Sequence, residues 1–374
     1  MGFRSFAFLA CSSGAAVLAT FACGNSPPPT PPPQPSATAA PPPVDSTPVA
    51  SADADAGPPA SATPAGPDIP VTILAKGQHA TSALIADDAI VYWVEDQDGI
   101  VARVPKRGGA MMMFYSAAGG GFAAPSTLAL DDNWVFWTEH VKLDPASPTS
   151  IARVMKQDKN GGQAIVVAQG IRDALTSLAS DAKDLYWLAG GQIVTAAKAG
   201  GGAHPVTLKL SDPTSVASDG KTLFFTQSSN ADKAKPGGAV LETTPRPGSK
   251  IVTLVAGLSN PNGVLVDDAN VYWIEAGTKV MAVAKKAGGA PKSLAESTGG
   301  VVDLALDDSS IYWVTSDGNV MRVAKDGSGS PLTLAVGQTN PAGIAVDRSN
   351  VFWSTKGTEA NKFHDGTVAT ITKP

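Results

Sequence analysis

The sequence predicts an all-β protein, a β-propeller of seven blades, from a repeated hairpin and from its spacing. In each copy of the hairpin, two apolar runs flank a short polar turn, and the second run ends in a pair of aromatic residues. The pairs are Tyr92-Trp93, Phe136-Trp137, Tyr186-Trp187, Phe224-Phe225, Tyr272-Trp273, Tyr312-Trp313 and Phe352-Trp353. Their second members stand 38 to 50 positions apart, and repeats of that length made only of short strands are typical of propeller blades. A ring of six blades is the alternative.

An aspartate stands six positions before the second aromatic residue of every pair. These residues are Asp87, Asp131, Asp181, Asp219, Asp267, Asp307 and Asp347. A carboxylate at the start of a tight turn can accept hydrogen bonds from the backbone N–H groups of that turn. We therefore expect seven structural turn caps. Because each aspartate opens its own turn, they are too far apart to share a metal ion, and no metal site is predicted.

The sixth unit shows most clearly how four strands make a blade. Its strands are expected at Asp303–Leu306 (strand a), Ile311–Thr315 (b), Val320–Ala324 (c) and Leu332–Val336 (d), separated by Asp- and Gly-rich turns. The position two before the turn aspartate is mostly alanine, which suits a crowded innermost strand. The aromatic pairs are expected to fill the widening space between blades.

The two ends of the repeat region are expected to close the ring. The seventh unit has strands a, b and c but reaches Pro374 without a strand d. Val71–Ala75, which precedes the first unit, matches the strand d of the sixth unit. The strand from the N-terminal side should therefore complete the last blade beside Thr367–Ile371 and remove the exposed edges.

The first 70 residues do not read as part of the fold. Residues 1–22 have one positive charge and an interrupted apolar stretch, as in a secretory signal peptide. Ala22-Cys23 resembles the processing site of a bacterial lipoprotein signal, in which the cysteine is lipidated; cleavage near Ala22 without lipidation and use of Cys11 are the alternatives. Residues 23–70 are rich in Pro, Ala and Ser, a composition that predicts a disordered tether, and residues 71–374 are assigned to the propeller.

The Tyr-Trp hairpins resemble the YWTD propellers of lipoprotein receptors and related bacterial propeller lipoproteins. Phe136-Trp137-Thr138-Glu139 comes closest to the motif that names that family. YWTD propellers have six blades, whereas this sequence has seven units, so the resemblance implies an architecture and no ligand. Together with Cys23, it implies an exported protein that is anchored by lipid in the cell envelope, at the bacterial outer membrane or cell surface.

Composition and motifs favour a binding protein over an enzyme. The net charge of −5 argues against nucleic acid as a partner and against a basic membrane-binding surface. The four histidines are not in metal-binding spacing, and no nucleophile elbow or phosphate-binding loop is present. No catalytic residue and no cofactor is predicted. An exported propeller hydrolase, lyase or quinoprotein-type dehydrogenase is the alternative.

Loop geometry indicates where a protein or glycan partner would bind. In an up-and-down blade the b–c and d–a loops share one face, here called the b–c face. Long insertions in the b–c loops are expected at 139–150, 227–238 and 355–366, and binding residues tend to lie on such variable loops. The candidates are Glu139, His140, Lys142, Asp144, Asn230, Asp232, Lys233, Glu359, Asn361, Lys362, His364 and Asp365. Met111–Tyr115 is expected to be the buried strand d of blade 1.

Overall fold

The computed structural model describes residues 69–117, 122–142, 150–171, 175–228, 237–286 and 288–374. The predicted signal peptide, Cys23 and nearly all of the predicted tether lie outside these residues. The described residues belong to one compact unit. Its strands form seven antiparallel sheets of four strands each, so the seven-bladed propeller is confirmed.

Blades 1 to 6 each use four consecutive strands, ordered from the axis outwards. Blade 1 contains β2 (Thr81–Ala86), β3 (Ile90–Glu95), β4 (Ile100–Pro105) and β5 (Met112–Ser116). Blade 2 contains β6 (Phe122–Leu130), β7 (Trp134–Lys142), β8 (Ser150–Asp158) and β9 (Ile165–Ile171). Blade 3 contains β10 (Thr176–Ser180), β11 (Asp184–Ala189), β12 (Gln192–Ala197) and β13 (His204–Pro205). Blade 4 contains β14 (Pro213–Ser218), β15 (Leu223–Gln227), β16 (Gly238–Thr243) and β17 (Val252–Leu258). Blade 5 contains β18 (Asn262–Val266), β19 (Asn270–Glu275), β20 (Lys279–Ala284) and β21 (Lys292–Glu296). Blade 6 contains β22 (Val301–Leu306), β23 (Ser310–Thr315), β24 (Val320–Ala324) and β25 (Leu332–Ala335).

Blade 7 is built from both ends of the propeller. Its strands are β26 (Pro341–Val346), β27 (Asn350–Thr355), β28 (Gly366–Thr372) and β1 (Thr72–Gln78). The outermost strand β1 pairs antiparallel with β28, with Thr72 opposite Thr370 and Gln78 opposite Gly366. The predicted closure by the N-terminal strand is therefore confirmed. A single 3-10 turn, Glu359–Asn361, lies between β27 and β28.

The aromatic pairs explain how neighbouring blades adhere. Each seam contains one cluster of buried apolar side chains, in which the first aromatic of one blade meets the second aromatic of the next. Phe352 and Trp93 join blades 7 and 1, and Tyr272 and Trp313 join blades 5 and 6. The paired residues point to opposite sides of strand b because side chains alternate along a strand. Full burial of each aromatic side chain contributes on the order of 1.5–3 kcal/mol to folding. The pairs therefore hold the seven blades of the propeller together.

Two expectations about individual elements are wrong. The hairpin of blade 2 is longer than predicted: β7 and β8 pair from Trp134 opposite Asp158 to Lys142 opposite Ser150, so 139–142 is strand and not loop. Met112 and Met113 do lie in strand d of blade 1, but with Met111 they are exposed, and Met113 retains 62% of its accessible surface. An outermost strand lies at the rim of the propeller with no strand beyond it, and of this segment only Phe114 is buried.

Candidate functional site

The face that carries the a–b and c–d turns is occupied by structural contacts. In every blade the Oδ1 atom of the turn aspartate accepts hydrogen bonds from the backbone N–H groups two and three residues later, at 2.7–3.0 Å. Asp87, Asp131, Asp181, Asp219, Asp267, Asp307 and Asp347 all make this contact. Each carboxylate thus holds its own a–b turn in place.

The second carboxylate oxygen of six of these aspartates binds a lysine of the next blade. The pairs are Asp87–Lys159, Asp131–Lys198, Asp219–Lys285, Asp267–Lys325, Asp307–Lys373 and Asp347–Lys106. Each lysine directly follows the third strand of its blade. In four of them the ammonium also lies 5.0–5.2 Å from the centre of an aromatic ring of the neighbouring blade. We call this arrangement the aspartate–lysine ring.

Blade 4 interrupts the aspartate–lysine ring. Thr244 occupies the position of the lysine there, and Asp181 Oδ2 accepts instead from the hydroxyl of Tyr186 at 2.7 Å. The sequence carries a signal for the ring, since a lysine stands directly after the third strand in six of the seven units. The paired aspartate and lysine are 58 to 72 positions apart in five pairs and 241 positions apart in Asp347–Lys106, and nothing in the spacing of a single repeat shows such contacts.

The predicted binding residues of blade 2 do not form an exposed loop. Glu139 is fully buried in β7. It forms an ion pair with Arg153, which stands opposite it on β8, and accepts from the indole of Trp137 at 3.2 Å. The ring nitrogen Nε2 of His140 accepts from the backbone N–H of Leu175 at 3.3 Å, and burial lowers the pKa of His140. Glu139 is therefore a structural residue, and the prediction that it lies on a binding loop is wrong.

The structure does not describe the side chains of five other candidate residues. Lys142 is the last residue of β7, and its side chain is not among those described. Asp144, Asn230, Asp232 and Lys233 lie outside the described residues.

The b–c loop of blade 7 is exposed yet ordered by its own side chains. Asp365 accepts from the backbone N–H and the hydroxyl of Thr358, at 2.6 and 2.8 Å, and from the amide of Asn361 at 2.7 Å. The donors of Asn361 and Thr358 lower the pKa of Asp365 to about 2. Lys362 adopts φ of 53° after the 3-10 turn. Asn361 and Asp365 thus shape the loop, while the side chains of Glu359, Lys362 and His364 are exposed on it.

Residues of blade 1 complete this surface. The His364 ring stacks on the His79 ring, with centroids 3.7 Å apart, and His79 Nδ1 lies 3.0 Å from Asp98 Oδ1. The backbone N–H of Ala80 donates to the carbonyl of Phe363 at 3.0 Å. His79 and Asp98 are not among the candidates that the sequence predicted. The available signal was the ring closure, which places the residue after β1 beside the loop that precedes β28.

Buried polar groups lie at the same junction. Glu95 accepts from the indole of Trp93 at 2.9 Å and from the backbone N–H of His79 at 3.3 Å, and burial raises its pKa. Two further side-chain oxygens, Gln78 Oε1 and Thr81 Oγ1, have no hydrogen-bond partner among the described residues, and Ser82 and Asp96 lie beside each other at this junction. We call His79, Asp98, His364 and the blade 7 loop, with the polar groups beneath them, the closure seam.

The axis of the ring contains a second candidate site. A cavity of about 570 Å³ is lined by the innermost strands of the blades, mainly by Ala, Leu, Val and Ser. Among the described residues that line it, Asp303 has the only ionisable side chain. Its Oδ1 accepts from the N–H of Leu304 at 2.9 Å, and its Oδ2 accepts from the N–H of Ile344 of blade 7 at 3.0 Å.

Among the described residues, no group of three or more His, Cys, Asp or Glu side chains is arranged to hold a metal ion. Within the same residues, no helix has the length and apolar character that crossing a membrane requires.

Fold and site together define the class of protein: a seven-bladed β-propeller closed by its N-terminal strand. Solved structures share the fold at low identity. A catalytically inactive variant of virginiamycin B lyase from Staphylococcus aureus, crystallised with quinupristin, matches with a TM-score of 0.59 and 13% identity, over 82% of this chain and 99% of its own. A chain of a nidogen/laminin complex matches with a TM-score of 0.51 and 17% identity, over 69% of this chain and 97% of its own.

The computationally designed protein Ika8 also matches, with a TM-score of 0.54 and 14% identity, over 79% of this chain and 98% of its own. No protein-family model matches the sequence, and no curated protein matches it either. Identities of 13% to 17% establish the shared fold alone.

Proposed function

We propose that this protein is a lipid-anchored propeller of the cell envelope that binds a partner protein or glycan through its b–c face, with the closure seam at the centre of the contact. The observation that carries the proposal is the contrast between the two faces. On the opposite face, six of the seven turn carboxylates are paired with lysines. At the closure seam, ionisable and aromatic side chains are exposed above buried oxygens that lack partners.

The seam offers the chemistry that a polar partner requires. The exposed ring of His364 is an apolar face that a sugar ring or a side chain can cover, while Lys362 and Glu359 provide a donor and an acceptor beside it. The internal hydrogen bonds of Asp365 hold the loop in one shape before binding. A preformed loop loses little conformational entropy on binding.

The anchoring part of the proposal rests on sequence. Ala22-Cys23 resembles a lipoprotein processing site, and the tether from residue 23 leads to β1 in blade 7, the blade that also carries the exposed loop of the seam. The likeness of the Tyr-Trp hairpins to YWTD propellers of lipoprotein receptors fits the same role. We propose binding rather than catalysis because Asp303 stands alone as an ionisable group among the described residues of the axial cavity.

Paired surface variants test the binding face. The first carries Glu359→Ala, Lys362→Asn and His364→Ala at the seam, and the control carries Asp308→Ala, Lys286→Asn and Arg348→Ala, three exposed residues of the opposite face. Immobilised wild type and both variants are incubated with envelope proteins and with a glycan array. We expect the same species to bind wild type and control and to be lost from the seam variant. Equal binding by both variants, or loss in the control alone, would contradict the proposal.

A further inference from the structure

One position of the innermost strand faces the axial cavity in blade after blade. It stands four residues before the turn aspartate and is occupied by Ala83, Thr127, Ser177, Ser215, Gly263 and Asp303. Five of these six side chains are small and uncharged, as a narrow channel requires. Asp303 of blade 6 is the exception.

The serines at this position form a hydrogen bond with the backbone of the next blade. Ser177 Oγ accepts from the backbone N–H of Val216 in the next blade at 2.9 Å, and Ser215 Oγ accepts from Val264 at 2.9 Å. Asp303 Oδ2 makes the equivalent contact with Ile344 at 3.0 Å. A hydroxyl group therefore supplies the same hydrogen bond between blades, and the negative charge of Asp303 is not needed for it.

The charge is also unfavourable for the protein alone. The carboxyl group of Asp303 lines the axial cavity, and the residue is half-buried there. Burial raises the pKa of Asp303 to about 6, against the opposing effect of the N–H groups of Ile344 and Leu304. No lysine, arginine or histidine of the described residues forms an ion pair with it. A partly desolvated, ionised carboxylate without a counter-ion beside largely apolar walls is unfavourable for a fold.

We propose that the axial cavity binds a small organic cation, a primary or quaternary ammonium ion, with the carboxylate of Asp303 as its counter-ion. Each carboxylate oxygen has two acceptor positions, and each has accepted one backbone hydrogen bond, so one position per oxygen remains for the ligand. The volume of about 570 Å³ falls within the range of small-molecule sites, roughly 300–1,000 Å³.

The walls of the cavity favour an organic cation over a metal ion. Residues such as Leu128, Ala179 and Val264 present methyl groups to the space, which suit the carbon chain of an amine. Calcium takes about six to eight oxygen ligands, and the cavity combines only one carboxylate with scattered hydroxyls. This site is distinct from the closure seam and does not depend on the function proposed for it.

The test is a calorimetric titration of the purified protein at pH 7.5 with butylammonium and with tetramethylammonium, and with 1-butanol as the uncharged comparison. Asp303→Ser installs the residue that blades 3 and 4 use, Asp303→Asn keeps the shape, and Asp308→Asn is an exposed control in the same blade. We expect at least one cation to bind wild type and Asp308→Asn, with affinity reduced tenfold or more in both Asp303 variants.

Near-ultraviolet circular dichroism establishes that each variant is folded, and Asp303→Asn remains a test if Asp303→Ser fails to fold. Binding of neither cation to wild type would overturn the proposal. Equal affinities of butylammonium and 1-butanol would overturn it too, as would cation binding that survives both Asp303 substitutions. Binding of calcium chloride in place of either ammonium ion would also overturn the assignment to an organic cation.

Discussion

At the scale of single residues, the turn aspartates use their two carboxylate oxygens for different contacts. In Asp267, Oδ1 accepts from the backbone of its own turn, while Oδ2 pairs with Lys325 of the next blade, 2.6 Å away. Burial alone would raise the pKa of Asp267, but Lys325 and the backbone N–H groups lower it to about 2. One residue type thus fixes both the shape of a blade and its attachment to a neighbour.

Substituting Asp267 and Asp181 separates the contribution of the ion pair between blades from that of the hydrogen bonds within the turn. Asp267→Asn keeps the turn acceptor and loses the ion pair, so we expect the free energy of unfolding to fall by about 0.5–1.5 kcal/mol at pH 7. Asp181→Asn should lower the free energy of unfolding less, because Asp181 has no lysine partner among the described residues. Urea denaturation measures both. Equal losses in the two variants would mean that the lysine pairs contribute nothing.

The difference in stability between wild type and Asp267→Asn should decrease at low pH. Because the pKa of Asp267 is lower in the folded protein than its ordinary value of 3.8, its contribution is complete above about pH 4 and is lost as the pH falls towards 2. The advantage of wild type over Asp267→Asn should therefore shrink in that window. An advantage that persists unchanged at pH 2 would contradict the assignment.

Ionisation of Asp303 should have the opposite effect and should lower the stability of the fold as the pH rises. Its folded pKa of about 6 exceeds the ordinary 3.8, so the folded state binds the proton more tightly and stability falls as the pH rises from about 4 to 6. Asp303→Asn removes the titrating group and should flatten the profile between pH 4 and 6, while its amide nitrogen cannot accept the second of the two backbone hydrogen bonds and so lowers stability at every pH. Thermal denaturation in a pH series, without added amines, measures this. A variant whose stability falls between pH 4 and 6 as steeply as that of wild type would contradict it.

At the scale of elements, the closing strand β1 decides whether blade 7 is complete. Leu74 and Ala75 of β1 are buried in the cluster that joins blades 7 and 1, and β1 pairs along β28. We expect deletion of residues 24–66 to leave the melting temperature unchanged. Deletion of residues 24–76 removes the core contacts of Leu74 and should cost at least about 3 kcal/mol, or prevent folding. Equal melting temperatures for the two deletions would contradict the role given to β1.

Elements that obey the repeat could be predicted from sequence, and elements that depart from it could not. The a and b strands of every blade follow from the aspartate and the aromatic pair. The extension of β7 was hidden because Glu139 and His140 are polar and suggested a solvated loop. Their partners, Arg153 and the backbone of Leu175, lie on another strand and in another blade, where local sequence patterns give no information.

At the scale of the whole molecule, the number of repeats fixed the number of blades, and the missing strand of the seventh unit indicated how the ring closes. The candidate site was only partly predictable. The blade 7 loop was found as an insertion, but His79 and Asp98 reach it only because closure brings blade 1 against blade 7. Asp303 was counted as part of an innermost strand, and its position in the cavity follows from the assembled ring.

The proposed lipid anchor is tested on the intact chain in cells. If Cys23 carries the lipid, Cys23→Ser removes the sulfur that is acylated and should move the protein from the membrane fraction to the soluble fraction. Cys11→Ser is the matched control and should leave the distribution unchanged. Fractionation followed by immunoblotting measures both. A Cys23→Ser protein that stays with the membrane would refute the anchor.

The dissociation constant of a captured partner is the most direct measure of the central claim, that the b–c face binds and the opposite face serves the fold. Surface plasmon resonance would compare wild type with the seam variant (Glu359→Ala, Lys362→Asn, His364→Ala) and with the opposite-face control (Asp308→Ala, Lys286→Asn, Arg348→Ala). The account predicts a dissociation constant raised at least tenfold, or about 1.4 kcal/mol, in the seam variant and unchanged in the control. A seam variant that binds like wild type, or a control that loses the partner, would contradict it.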